Sequence, residues 1–253
     1  MPQPLFSFPT ETLHITPVTL PANTPLQAVF QQIAGDNWSL LYDSGTSTQS
    51  NSRYDIALWS PVLTITTKAG TTEVRARGDI LETITCKNES PLDTAKRYFT
   101  AFQHSLTLDA NCQHYNQLPL VLGLAGFCSY DLGRDYETLP ALNRDEYQCP
   151  EMALGIYNRA LIHDVQEDCW YFCHTSDVAI PDFNHWLASP SAPFSIKGGW
   201  QSNMSEAQYS DALAAVHDYL VAGDCYQVNF AQRFTTGYEG CLWAAYRTLT
   251  QAN

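Results

Sequence analysis

The stretch VLTITTKAGTTEVRARG, residues 62–78, narrows the possible folds more than any other. β-Branched residues crowd both sides of Ala69-Gly70, and the glycine there suits the positive φ of a tight hairpin turn. A hairpin implies a sheet, and candidate neighbouring strands are plentiful. Trp38 to Tyr42 and RYDIALWSP (53–61, stopped by its proline) precede it; LVLGLAGFCSYDLG, ALGIYNRALIHDV and CWYFCHT follow. Helices are fewer. In TPLQAVFQQIA, residues 24–34, Leu26, Val29, Phe30 and Ile33 fall at i, i+3, i+4 and i+7, and residues 91–107 read as a second helix beginning near Pro91.

Residues 176–199, with PSAP and KGG, are rich in proline, serine and glycine and predict a linker, dividing the chain into domains 1–195 and 196–253. The cleanest helix follows. Ser205 and Gln208 match the S-x-x-Q capping box, Met204 and Tyr209 sit at the staple positions, and Tyr209, Leu213, Val216 and Leu220 form one stripe. Gly223 is placed for a left-handed stop. Next comes GDCYQVNFAQRF (223–234), read as a strand with Tyr226, Val228 and Phe230 on one face and Gln227, Asn229 and Ala231 on the other. A buried amide without partners costs about 1–3 kcal/mol. The amide face therefore either meets solvent or meets a polar ligand. GCLWAAYRTLTQAN reads as a helix with Trp243, Tyr246 and Leu249 on one stripe.

Charge excludes some partners. The 253 residues carry a formal net charge of -13, and the 13 Lys and Arg are scattered. Nucleic acid or an anionic membrane surface would require a basic stripe to displace counterions, so neither partner is expected. The eight cysteines include no C-x-x-C pair; Cys169, Cys173 and His174 lack a second ligand pair at metal-site spacing, and reduced thiols are expected. MPQPLFSFPTETLHI has no basic n-region or long apolar run, and no segment approaches the roughly 18 apolar residues of a spanning helix. A cytoplasmic location is expected. The dinucleotide fingerprint and the nucleophile elbow are both absent, and the glycines of GLAGFCSYDLG read as tight strand packing.

One loop carries recognition chemistry. DSGTSTQSNSRYD, residues 43–55, presents Ser44, Asn51, Ser52, Arg53, Tyr54 and Asp55 between two apolar strands. A guanidinium and a carboxylate side by side suit a zwitterionic amino acid. The other reading is an ordinary loop with a local Arg–Asp pair.

Five blocks, GDCYQVNFAQRF, SRYDIA (52–57), SYDLGRDYETLP (129–140), GIYNRALI (155–162) and WQSNMSEAQY (200–209), together resemble aminodeoxychorismate synthase component I. That enzyme and anthranilate synthase component I are sister branches of one chorismate-utilising family. The resemblance runs from about Trp38 onward, and Asn229 after the Val favours the folate branch. It implies an α+β fold: an anthranilate synthase component I-type β-sandwich with flanking helices, its C-terminal chorismate-binding part truncated. The implied reaction is amination of chorismate at C4 with loss of its hydroxyl, using Mg²⁺ and ammonia from a glutaminase subunit, on the way to para-aminobenzoate. The implied ligand of the loop is L-tryptophan, held by Ser44, Asn51, Ser52, Arg53 and Tyr54.

The family's P-I-K-G-T-like lysine segment, its proton-donating glutamate and its magnesium carboxylates do not occur in these residues. No catalytic and no metal-binding residue is therefore expected here, and the polypeptide is expected to be an inactive N-terminal part. Residues 200–253 are expected to leave an apolar face uncovered. Two alternatives stand beside this reading: anthranilate synthase component I, and a stand-alone amino-acid-binding module.

Overall fold

The computed structural model describes residues 4–45, 52–115, 117–138, 145–187 and 193–252. They fall into two units, residues 1–189 and 190–253. In the first unit the chain runs through β1 (Glu11–Val18), α1 (Leu26–Phe30), β2 (Leu40–Tyr42) and β3 (Tyr54–Leu58). The hairpin β4 (Leu63–Lys68) and β5 (Thr71–Ala76) is followed by β6 (Asp79–Thr85), α2 (Pro91–Ser105) and the short β7 (Leu106–Leu108). Then come β8 (Gly123–Cys128), β9 (Met152–Tyr157), β10 (Arg159–Asp164), β11 (Cys169–Thr175) and α3 (Phe183–Trp186).

Two mixed or antiparallel sheets result. One has the order β2-β3-β10-β11-β1-β7, the other β6-β5-β4-β9-β8. β9 and β10 are separated only by Asn158, so a single residue carries the chain from one sheet to the other. The second sheet packs α2 on one face: Tyr98 and Phe102 of the helix join Leu63, Ile65, Val74, Met152 and Ile156 in one core. The first sheet buries Leu13, Ile15, Ile56, Leu58, Ala160 and Ile162. An aromatic group also belongs to it, with Trp59 stacked on Phe172 at 5.9 Å and edge-on to Trp186 of α3 at 5.4 Å.

Local chemistry explains these elements. Ala69 (φ +49°) and Gly70 (φ +74°) form the hairpin turn where it was expected. Ser90 caps α2 by accepting from the Asp93 N–H, and Pro91 occupies the first helical position, where its missing N–H costs nothing. Gly126 in β8 has φ +150°, and a Cβ there would lie 2.0 Å from the Ala153 carbonyl oxygen. The expected tight packing at this glycine is thus backbone against backbone. A buried charge cluster fastens α2: Arg97 donates to Glu89 at 2.9 and 2.8 Å and to Glu82 at 3.1 Å, and the Tyr98 hydroxyl donates to Glu82 at 2.7 Å.

The second unit holds β12 (Phe194–Ser202), α4 (Glu206–Ala222), β13 (Phe234–Gly240) and α5 (Leu242–Ala252). The capping box on α4 is present in both directions, and Gly223 ends the helix at φ +81°. None of the described residues of α4 or α5 is buried within this unit.

Two sequence expectations fail here. Residues 194–199 are not linker but the start of β12, whose Gly198 (φ +82°) lies at the register shift between Lys197 and Gln201. Glycine inside a strand marks an irregularity of this kind, and KGG was misread for that reason. Residues 223–233 are not a strand: β13 begins only at Phe234. Tyr226 is 96% exposed, Gln227 Nε2 donates locally to Asn229 Oδ1 at 3.4 Å, and Gln232 Nε2 donates to Ser202 Oγ at the end of β12 at 2.7 Å. Alternation expresses a preference that a strand realises only when its backbone finds a ladder partner, and here the cross-strand backbone bond comes at the segment's end, where the Arg233 carbonyl accepts from the Asn203 N–H at 3.0 Å.

Candidate functional site

β2 and β3 are adjacent antiparallel strands, with Leu40 opposite Leu58 and Tyr42 opposite Ile56, so the loop joining them hangs from one end of the first sheet. Ser44 lies just beyond β2, Ser52 and Arg53 just before β3, and Tyr54 is its first residue. Asn51 lies outside the described residues. The Ser44 and Ser52 hydroxyls make no hydrogen bond among the described residues and face no competing protein partner there.

The backbone of this loop is held from below. The Ser44 N–H donates to Asp55 Oδ1 at 3.1 Å, the Gly45 N–H to Asp43 Oδ1 at 2.6 Å, and Gln27 Nε2 of α1 to Asp43 Oδ2 at 2.6 Å. Asp55 is buried, and burial pushes its carboxyl above the usual range; the Ser44 N–H opposes that shift, as does His163. His163 is its cross-strand neighbour on β10. The imidazole stacks on Trp170 at 4.0 Å between centroids, and its Nε2 lies 3.1 Å from Asp168 Oδ1. Asp168 in turn accepts from the Asn23 N–H at 3.1 Å, and that bond, with His163, holds its carboxyl below the ordinary range.

Arg53 is engaged elsewhere than expected. Its Nε donates to both oxygens of Asp164, at 3.1 and 2.9 Å, and Nη2 reaches Oδ2 at 2.6 Å. The neighbouring Asp55 carboxylate belongs to Ser44. The local Arg–Asp pair is therefore replaced by a pair 111 positions apart, linking the start of β3 to the end of β10. The guanidinium lies 5.0 Å from the Tyr54 ring centroid, and its bond with Asp164 raises its pKa. Asp164 also accepts from the Gln166 and Glu167 N–H groups, so one carboxylate closes the β10–β11 turn and fixes Arg53.

The approach to β2 is set from the other sheet. Tyr157 of β9 is fully buried, and its hydroxyl donates to the Trp38 carbonyl at 2.9 Å. Trp38 has φ +66°, and the chain turns there into β2. The Tyr157 ring lies over Gly155, where a Cβ would come within 2.7 Å of it.

The site thus gathers Ser44, Ser52, Arg53, Tyr54 and Asp55, the last turned to the Ser44 amide, and adds Asp43, His163 and Asp164, which were not singled out as site residues. Only HD at the end of ALGIYNRALIHD hinted at the last two. Among the described residues no group of three His, Cys, Asp or Glu side chains is placed to hold a metal ion. No helix is long and apolar enough to cross a membrane.

A model of the chorismate binding enzyme family matches residues 39–253. Aminodeoxychorismate synthase component 1 of Escherichia coli (strain K12) is 35% identical over 229 residues, covering 88% of this chain and 48% of that protein. The protein of the same name from Salmonella typhimurium is 34% identical over 250 residues, 96% of this chain and 52% of its own length. The crystal structure of anthranilate synthase component I from Streptococcus pneumoniae TIGR4 superposes with a TM-score of 0.55 at 18% identity, over 93% of this chain and 53% of that one. The chain spans about half the length of these relatives.

Proposed function

The chain belongs to the chorismate binding enzyme family, and from that premise we propose that it forms the N-terminal part of an aminodeoxychorismate synthase component 1. In the reaction proposed, ammonia replaces the C4 hydroxyl of chorismate, water leaves, and the enolpyruvyl group is retained. Ammonia comes from a glutaminase subunit. The observation that carries the reading is the identity to two proteins named aminodeoxychorismate synthase component 1 across nearly the whole chain.

Within it, the first unit is a scaffold with a tryptophan clasp, and the second contributes the first elements of a chorismate-binding sheet. The clasp would use the Ser44 and Ser52 hydroxyls, Asn51 and the Tyr54 ring, with Arg53 braced by Asp164 so that its remaining N–H groups sit in a fixed place. A half-buried indole adds about 2–5 kcal/mol of apolar burial before ordering costs. Support for the second assignment comes from apolar side chains in open water: Trp200, Phe234, Tyr238, Leu242 and Leu249 are each more than half exposed. Patches of this kind on a single unit are normally covered by other polypeptide.

The test is a chimera in which these residues replace the matching half of the Escherichia coli relative, supplied with chorismate, ammonia and Mg²⁺. Aminodeoxychorismate without pyruvate release is expected; fluorescent anthranilate would move the chain to the sister branch. The 253 residues alone are expected to leave chorismate unchanged, and turnover by them would overturn the assignment.

A further inference from the structure

The first unit holds a cavity of about 60 Å³ far in sequence from the loop before β3. Its walls are apolar. Phe6 meets Phe8 edge-on at 4.9 Å, Phe8 meets Phe102 of α2 at 5.3 Å, and Pro9, Val62 and Leu106 complete the apolar lining. Its polar groups are Arg77, Glu11, Ser105, Asn158, Thr175 and Asp177. Asn158 and Thr175 are buried, and both are satisfied: the amide donates to Thr175 Oγ1 at 3.0 Å and to Asp177 Oδ1 at 3.4 Å, and the Thr175 hydroxyl donates to that same oxygen. Asp177 Oδ2 takes no hydrogen bond from the described residues, while Arg159 and His174 are near enough to feel the carboxylate's charge. The Arg77 side chain makes neither a hydrogen bond nor an ion pair with any of them.

A guanidinium without a carboxylate partner and a carboxylate oxygen without a donor thus line one apolar hollow. The volume is several times what one water needs and well short of the roughly 150 Å³ that accepts benzene. A branched side chain of three or four carbons suits that space better than an aromatic ring. We propose that this cavity is a binding site for a free aliphatic α-amino acid. The side chain would enter among Phe6, Phe8 and Phe102, the carboxylate would meet Arg77, and the ammonium would meet Asp177. The site is separate from the tryptophan clasp proposed above and does not depend on it.

Calorimetry of the 253-residue chain with L-leucine tests this. Saturable binding is expected, and 4-methylpentanoate and isoamylamine, each leucine without one charged group, should bind at least tenfold more weakly. Arg77 is the first residue of the two-residue β5–β6 turn, at φ +53° before Gly78 at +92°, a conformation that asparagine favours. Arg77→Asn should therefore keep or raise the melting temperature while weakening leucine at least tenfold. Ser52→Ala should leave leucine binding unchanged, and L-tryptophan should not displace it. The proposal is overturned if no saturable binding occurs up to about 10 mM, if Arg77→Asn binds leucine like the parent, or if either single-charge analogue matches leucine.

Discussion

Gly155→Ala carries the sharpest stability prediction, because the atoms it would strike belong to one nearby side chain. A Cβ at this position would stand 2.7, 2.8 and 2.9 Å from Cε2, Cζ and the hydroxyl oxygen of Tyr157. The ring cannot swing away freely: it is fully buried, and its hydroxyl is tied to the Trp38 carbonyl at 2.9 Å. Overpacking of a well-filled core costs about 1–3 kcal/mol, and displacing the hydroxyl adds about 1 kcal/mol for the lost hydrogen bond. Gly155→Ala should therefore destabilise by about 2–4 kcal/mol. Tyr157→Leu alone should cost a similar amount through the cavity it leaves. In the Tyr157→Leu background, however, Gly155→Ala no longer meets the tyrosine ring, and alanine in a strand is favoured over glycine by about 0.5–1 kcal/mol. The double-mutant cycle should then show a coupling of about 2–3 kcal/mol, at the upper end of what contacting residues display. Urea midpoints followed by circular dichroism at unchanged m would measure it. Additive costs in the cycle would refute the argument, because they would place the obstruction in the backbone of β4 or β8.

Gly126→Ala should destabilise by at least about 3 kcal/mol with no side-chain rescue, since its obstacle is the Ala153 carbonyl; a melting temperature within a degree of the parent's would refute this. His174 is buried beside His14, and burial foremost, with His14 and Arg159 adding, lowers its pKa below 6.5. A depressed histidine pKa means the unfolded chain binds the proton first, so stability is complete above about pH 6.5 and is lost as pH falls through the folded value. Urea titrations from pH 7.5 downward should show that loss, and His174→Gln should flatten it. Arg53→Ala should weaken tryptophan retention in the chimera and leave the buried Asp164 without its cation; unchanged retention, read by calorimetry, would remove Arg53 from the clasp.

What could be read from the chain in advance was whatever its neighbours in sequence decide. The Ala69-Gly70 turn, the Ser205–Gln208 box and the α2 start at Pro91 are settled within a few residues, and all three stand where expected. β1 was missed because ETLHITPV mixes polar residues with a proline, and it forms a strand by lying between β11 and β7, more than 90 residues away. The same dependence worked in reverse at GDCYQVNFAQRF, where a good pattern became a paired strand only from Phe234 onward. The candidate site divides along this line. Ser44, Ser52, Arg53 and Tyr54 are visible as a polar run between strands, but what each does follows from Asp55, His163 and Asp164. The pairing of Arg53 with Asp164 in place of Asp55 depends on β3 lying beside β10. Once the sheet sets that register, Asp55 is committed to the Ser44 amide, and Arg53 must find its carboxylate across the strand pair.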